Sequence, residues 1–387
     1  MRIPLYGYLA LGIFLALFVI SPIISILFFI IVTYLISNPK NYVFDIALCC
    51  LFILLIQSTR TFDIHNDFVA YKNAFERVAG LELLTYIKTY KQPDVAWYIL
   101  NYISYYLLGG SFKVFSELIV VSTYLFIFVG LYLYWKKTGT PYVCFFTSIL
   151  ILTFFPTVLT ISNNLLRQQF ALSVMMFALI AHKCEKLRTW PLVIFALFCH
   201  TMTIVFAPLY FLNFDFVLKG KRLIVVILAA SFFSLAVSYA SIFSMFSGIY
   251  VYDRLVTGSK ITNTDVINPS VVYSYGAIML IFFIKSVYID KIKNSTMLYV
   301  QNLSFALVIF CLVTSSLPMF VTRYYISRVF IIPFILPYFI NNRYWSRIYL
   351  GCVASFFILL FFITPPQYID TKLFSLIRVP VWNFTLF

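Results

Sequence analysis

From Ile3 to Pro39 the chain carries no acidic, basic or histidine side chain, and the same holds for residues 138–166, 223–252 and 294–322. Few folds accommodate runs of this kind. A hydrocarbon core of ~30 Å needs about 20 apolar residues in a row for one helix to cross it, whereas a membrane β-barrel is written as segments of about 10 residues that alternate in polarity. These runs are continuously apolar, so they specify helices. Composition agrees: 63% of the 387 residues are hydrophobic and 11% charged, where a soluble domain carries about a quarter charged. The expected fold is all-α, a polytopic integral membrane protein of about 11–13 transmembrane helices including re-entrant or broken segments. It is read as a single polytopic domain over residues 1–387. The first apolar run continues past Ile20 with no small-residue cleavage site, which predicts a retained anchor and not a removable signal peptide.

The net charge of +15 is a topology signal before it is anything else, because basic residues collect in cytoplasmic loops; no nucleic-acid partner is inferred from it. Threading the chain by that rule puts helices at 5–20, 22–40 and 42–57, followed by an external loop at 58–94 that holds Asp63, His65, Asp67, Lys72, Glu76 and Arg77. Residues 95–108 are short and aromatic, and a crossing there would place Lys136 and Lys137 outside, so this segment is expected to be re-entrant or interfacial. Helices at 116–135, 142–159 and 164–182 bring the basic cluster at 183–188 to the cytoplasm, and 190–212 is expected to break near His200 for the same reason. Further helices are expected at 223–245, 271–288, 297–317, 324–340 and 348–363, with a second external loop at 246–270 and an external tail at 364–387. The seven cysteines fall within or beside apolar runs, without a CxxC pair or metal-ligand spacing, and read as small buried hydrophobes.

Charges at membrane depth cost on the order of 3 kcal/mol and are functional candidates by default. Arg167 opens one expected helix, Arg323 and Arg328 another, and His200 stands alone in its apolar run. Guanidinium forks match phosphate oxygens bidentately, and helix N-termini add unpaired N–H groups and a positive dipole end, so these arginines suit a pyrophosphate. The plainer alternative is that each arginine snorkels to the interface or pairs with a loop carboxylate. His200 is a proton-acceptor candidate at neutral pH, or else a satisfied core histidine. No GxxxxGKS, HExxH or GxSxG occurs, so nucleotide hydrolysis, zinc proteolysis and nucleophile-elbow hydrolysis lack their signatures. Tyr90, Trp97, Tyr98 and Tyr102 suit stacking on sugar faces, although interfacial belts enrich the same residues without any ligand.

The run Asn164-Leu165-Leu166-Arg167-Gln168-Gln169-Phe170-Ala171 resembles the N-x-x-R-Q-x-x-A signature of EpsG-like and Wzy-type polysaccharide polymerases. Phe198 to Thr203, with His200 and the trailing Pro208, is similar to that family's F-H-x-S/T-A segment. Asp67 with Tyr71 resembles its D-x-x-x-Y motif, Gln92-Pro93-Asp94 to Tyr98 its E-P-x-F/Y, and Arg323-Tyr324-Tyr325 its late R-x-x-Y-F helix. Gln92 stands where the family carries an acid, and the late arginines are five apart.

The resemblance implies an integral-membrane glycosyltransferase that joins lipid-linked oligosaccharide repeat units, carried on undecaprenyl pyrophosphate, into O-antigen or exopolysaccharide. It implies a bacterial inner membrane protein whose site faces the periplasm or exterior. Its partners would be membrane lipids, a chain-length regulator and a flippase. By the same resemblance Arg167, Arg323 and Arg328 would hold pyrophosphate, His200 or Asp67 would take the acceptor's proton, and Gln168, Tyr71 and Tyr324 would contact sugar or support the site. No cofactor and no metal is called for. An O-antigen ligase and a lipid-linked oligosaccharide flippase are the alternatives.

Overall fold

The computed structural model describes residues 5–36, 38–60, 67–90, 93–212, 214–215, 221–238, 276–277, 280–281, 284–285, 293–313, 318–340, 346–364, 366, 377 and 380–381. Asp63, His65, the expected loop at 246–270 and most of the expected tail lie outside them. The described residues form α-helices and short 3-10 turns with no strand, and the protein is an all-α polytopic membrane protein. By contact it divides into two compact units, Met1–Ile204 with Leu336–Phe387, and Val205–Ile335.

In the first unit the helices are α1 (Leu5–Ile20), α2 (Pro22–Ile36), α3 (Tyr42–Ser58), α4 (Asp67–Glu76), α5 (Leu83–Tyr90), α6 (Val95–Leu107), α7 (Phe112–Thr138), α8 (Tyr142–Phe154), α9 (Pro156–Asn164), α10 (Leu166–Glu185) and α11 (Trp190–Cys199). Among the described residues two spans are long and apolar enough to cross a membrane unaided, Pro39–Ser58 and Phe112–Thr138; α8 and α9 together pass the same test but are bent by 55°. The bend has a local cause. Pro156 opens α9 and cannot donate a backbone hydrogen bond, and Phe155 before it is held extended at φ −84°, ψ 106°. The structure therefore replaces the expected straight helix at 142–159 by two pieces. α6 has 13 residues, about 20 Å of helix, too short to cross.

Every residue of α8 from Tyr142 to Phe154 is buried, as expected of a helix that is apolar all round. Phe154 meets Phe52 of α3 at 4.7 Å and Phe361 at 5.8 Å; the latter belongs to the last helix of the chain, Ser346–Ile363. Among the described helices α7 and α10 share the most extensive seam and run parallel: Phe126 meets Phe177 at 5.6 Å, and Lys136 reaches Glu185 at 3.8 Å where both helices end. Ser111 caps the start of α7 through Val114 N–H, and Gly139 ends it at φ 65°, a left-handed conformation that glycine adopts without a Cβ penalty. Large apolar side chains stand exposed on α1 and α2, among them Leu15, Ile20 and Leu35, as lipid-facing positions require.

The second unit holds α12 (Lys221–Ser238), α13 (Ser295–Val313) and most of α14 (Pro318–Ile340); α15 (Ser346–Ile363) returns to the first unit. The buried polar side chains of α13 are put to use: Asn302 Nδ2 donates to the Phe214 carbonyl at 2.9 Å, and the Tyr299 hydroxyl donates to the Leu209 carbonyl at 3.1 Å. The expected start of the late helix near Tyr324 is corrected. Pro318, a favoured first residue of a helix, opens α14, so Arg323 and Arg328 sit inside it and not at its N-terminus. Cys49, Cys144, Cys184, Cys199 and Cys311 are buried, Cys50 is partly so and Cys352 is exposed.

Candidate functional site

α11 ends at Cys199, and His200 leaves the helix in extended conformation at φ −158°, ψ 120° before a 3-10 turn at Thr201–Val205. The expected break at His200 is present. The turn is closed by the His200 carbonyl, which accepts the Thr203 N–H at 3.1 Å and the Thr203 hydroxyl at 2.9 Å. Inside it the Met202 N–H donates to His200 Nδ1 at 3.1 Å. His200 itself is buried.

Beside this turn lies Asp94, which precedes the first residue of α6. An aspartate in that place ordinarily accepts from the backbone N–H groups of its own helix, but here it makes no such bond. One carboxylate oxygen instead accepts the Thr201 N–H at 3.1 Å, and the other pairs with Arg167 Nη1 at 2.9 Å. The Arg167 guanidinium also reaches the Tyr98 hydroxyl. Arg167 is the second residue of α10, at a break where Leu165 separates α9 from α10 at φ −114°, ψ 49°. The N-terminal placement expected for Arg167 therefore holds, and α6, α10 and α11 converge on one buried carboxylate.

The same break gathers further polar groups. Asn163 Oδ1 accepts from Gln57 Nε2 at 2.6 Å and from Arg60 Nη1 at 3.1 Å, while Arg60 Nη2 binds the Asn163 carbonyl at 3.2 Å. Arg60 in turn lies 3.3 Å from the centre of the Phe68 ring, which ties the start of α4, and with it the neighbouring exposed Asp67, to the α9–α10 break. Gln169 is fully buried with neither end of its amide hydrogen-bonded, and Ser162 Oγ and Asn164 Oδ1 are likewise unmatched. Such unmet capacity costs about 1–3 kcal/mol per group and is rare in native interiors.

Tyr71 meets Trp97 edge-on at 6.0 Å, and Trp97 is 6.4 Å from Phe170, so Tyr71 belongs to the same neighbourhood. Gln168 is buried next to Arg167 in sequence. Tyr90 stacks on Tyr98 at 4.4 Å and 11°, and Tyr86 meets both edge-on. Burial pushes the Tyr86 and Tyr90 phenols up from their ordinary values, with Asn101 opposing at Tyr86 and Arg77 at Tyr90, so both keep their hydrogens at neutral pH.

In the second unit, Arg328 lies 3.5 Å from the centre of the Tyr325 ring. Tyr324 is buried against Phe310 at 4.8 Å and Phe206 at 6.2 Å, a packing role. Arg323 is placed by the backbone of α14. Among the described residues no three of His, Cys, Asp and Glu come together in a way that could hold a metal ion.

Sequence reading missed Asp94, Arg60 and Asn163. Asp94 had a signal, as an acid two residues after the Gln92 that replaces the expected one. Arg60 and Asn163 had none beyond polarity, since their pairing is long-range.

No curated protein and no solved structure matches the chain. Residues 43–374 match the EpsG family, a span that contains α3 from Val43 on, the whole Asp94–Arg167–His200 cluster and α14. The chain belongs to the EpsG family, the EpsG/Wzy-like polysaccharide polymerases.

Proposed function

We propose that this protein joins oligosaccharide repeat units carried on undecaprenyl pyrophosphate into a polysaccharide, at the outer face of the bacterial inner membrane. The observation that carries the reading is Arg167, set at the start of α10 and oriented by Asp94 and Tyr98. A guanidinium at a helix N-terminus suits phosphate oxygens, and fixed donors stabilise charge that gathers on a leaving group.

In the proposed reaction the acceptor's sugar hydroxyl attacks the anomeric carbon of the donor glycan, and the pyrophosphate leaves with the bonding electrons. Arg167 holds the pyrophosphate; Arg323 and Arg328 are assigned to the same ligand by the family resemblance alone. Asp67 or His200 takes the hydroxyl's proton. Gln168 and Tyr71 support the site, and Tyr90, the partly exposed member of the Tyr86, Tyr90 and Tyr98 cluster, offers a ring to sugar. The donor already carries its activation, so the transfer needs no nucleotide. A chain-length regulator and a flippase are the proposed partners in the membrane.

The test is reconstitution of the full chain in proteoliposomes with the lipid-linked repeat unit of its own host. A ladder of products longer than one repeat supports the reading. Transfer of single repeats to a lipid A acceptor without a ladder would instead indicate a ligase.

A further inference from the structure

We propose that His200 serves this reaction as a hydrogen-bond donor, through Nε2–H to a phosphate oxygen of the lipid-linked pyrophosphate, and that the acceptor's proton goes to Asp67. The inference rests on the polymerase reading above and assigns His200 the opposite role to a base.

The geometry of the turn carries it. Met202 N–H donates to His200 Nδ1 at 3.1 Å, so Nδ1 presents its lone pair and bears no hydrogen. In a neutral imidazole the hydrogen then sits on Nε2, since which nitrogen is protonated is set by the bond the other makes. To accept a proton at Nε2, the ring would first have to carry its hydrogen on Nδ1, where it would meet the Met202 N–H head-on. The imidazolium brings the same clash.

Met202 cannot readily turn away. The turn around it is tied by two bonds from Thr203 to the His200 carbonyl, at 3.1 Å and 2.9 Å. The next N–H along, that of Thr201, is held by Asp94, whose other oxygen holds Arg167. The histidine turn, the carboxylate and the guanidinium thus form one connected piece. A donor N–H and a guanidinium carried on that piece both favour negative charge on what they bind.

The transfer balances without a histidine base. The acceptor oxygen bonds to the anomeric carbon and the bond from that carbon to the pyrophosphate oxygen breaks. The electron pair leaves on that oxygen, where Nε2–H and Arg167 stabilise it, and the hydroxyl proton passes to the Asp67 carboxylate. Asp67 is exposed at the first position of α4.

Two measurements on the full chain in proteoliposomes decide the matter. The first is a ¹⁵N spectrum of histidine-labelled wild-type protein, with His200→Gln used to assign the signals. A bare Nδ1 and a protonated Nε2 are expected, and the reverse tautomer overturns the proposal. The second is affinity for undecaprenyl pyrophosphate, alongside polymer synthesis, in three variants. Glutamine keeps a donor at the Nε2 position, asparagine keeps only an acceptor at the Nδ1 position, and alanine keeps neither.

A donor role predicts that His200→Gln binds within about threefold of wild type. His200→Asn and His200→Ala should lose about 10- to 100-fold, the worth of a hydrogen bond to a charged group. Unchanged affinity in all three overturns the donor role, and retention by asparagine but not glutamine reduces His200 to a cap of its own turn. Wild-type protein that binds the lipid but makes no polymer refutes the polymerase reading while the affinity series still decides the role of His200. Failure of the wild type to bind overturns both.

Discussion

Asparagine in place of Asp94 would keep the shape of the side chain and remove its charge. The two carboxylate oxygens serve two donors, Thr201 N–H at 3.1 Å and Arg167 Nη1 at 2.9 Å. Asparagine has one oxygen and one NH₂ group, so it can satisfy one donor and must point its own N–H at the other. Hydrogen bonds to charged groups are worth about 1.5–3 kcal/mol, and a buried charge left without its partner costs about 3–5 kcal/mol. Arg167 retains 19% exposure of its side chain, so water recovers part of that loss and about 2–3 kcal/mol is expected. If the pair orients Arg167 for the transition state, the same energy appears as a fall of about 30- to 160-fold in rate. The assay is the initial rate of polymer formation in proteoliposomes at matched protein levels, for Asp94→Asn, Arg167→Gln and the double variant. The fall should be in kcat more than in KM, and the double variant should be no slower than the worse single one. A rate within threefold of wild type for Asp94→Asn, or fully additive effects of the two substitutions, would refute the coupling.

Arg167→Lys should lose more than about 10-fold in activity, because an ammonium cannot serve Asp94, Tyr98 and a phosphate with a planar fork; polymer of normal length in that variant would count against a pyrophosphate role. Asn163→Ala removes the acceptor shared by Gln57 and Arg60 and should cost about 2–4 kcal/mol of stability, read as reduced abundance and lower heat tolerance in membranes; normal values for both would show the cluster to be dispensable. Phe52→Ala empties the contact between α3, α8 and α15 and should cost about 3–5 kcal/mol, again read as abundance. Single cysteines at Lys72 or Glu76 in a cysteine-free background should react with an impermeant reagent on intact cells; reaction only after lysis would reverse the proposed orientation.

Helices written as long uncharged runs were legible. α1 and α3 begin where the polarity pattern put them, and α11 stops at His200, the residue that charge placement singled out. Local chemistry was less well read. The pattern of apolar residues runs straight through Phe155 and past Pro318 without a break, so it hid both the 55° bend and the helical residues of α14 ahead of Tyr324; in each case a proline, Pro156 or Pro318, stands at the position the structure gives. Among site residues, Arg167 was legible because a charge in an apolar run is conspicuous. Asp94 was not, since an aspartate ahead of an aromatic helix looks like an ordinary cap, and only the folded chain shows its carboxylate turned away from its own helix. Pairings such as Arg60 with Asn163 join segments far apart in sequence and leave no periodic trace.

The unequal lengths of α7 and α10 bear on the depth at which the proposed transfer would occur. α7 has 27 residues and α10 has 20, and they finish level at Lys136 and Glu185. At 1.5 Å per residue α7 is about 40 Å long and α10 about 30 Å, and counted back from Lys136 and Glu185 α7 overshoots its neighbour by about 8 Å at the far end. α10 is about as long as the hydrocarbon of a bilayer is thick, and on the proposed function its first turn, with Arg167, would lie at the level of lipid headgroups. On that reading the overshoot of α7 is a pier above the headgroups. Phe112 and Phe115 on it are gripped by Phe68, Phe75 and Trp97 from α4 and α6. On the proposed function, a lipid whose tail stays in the bilayer would bring its phosphates to Arg167 without being lifted out, and the polar helices moored to the pier would stand where its sugars emerge into water.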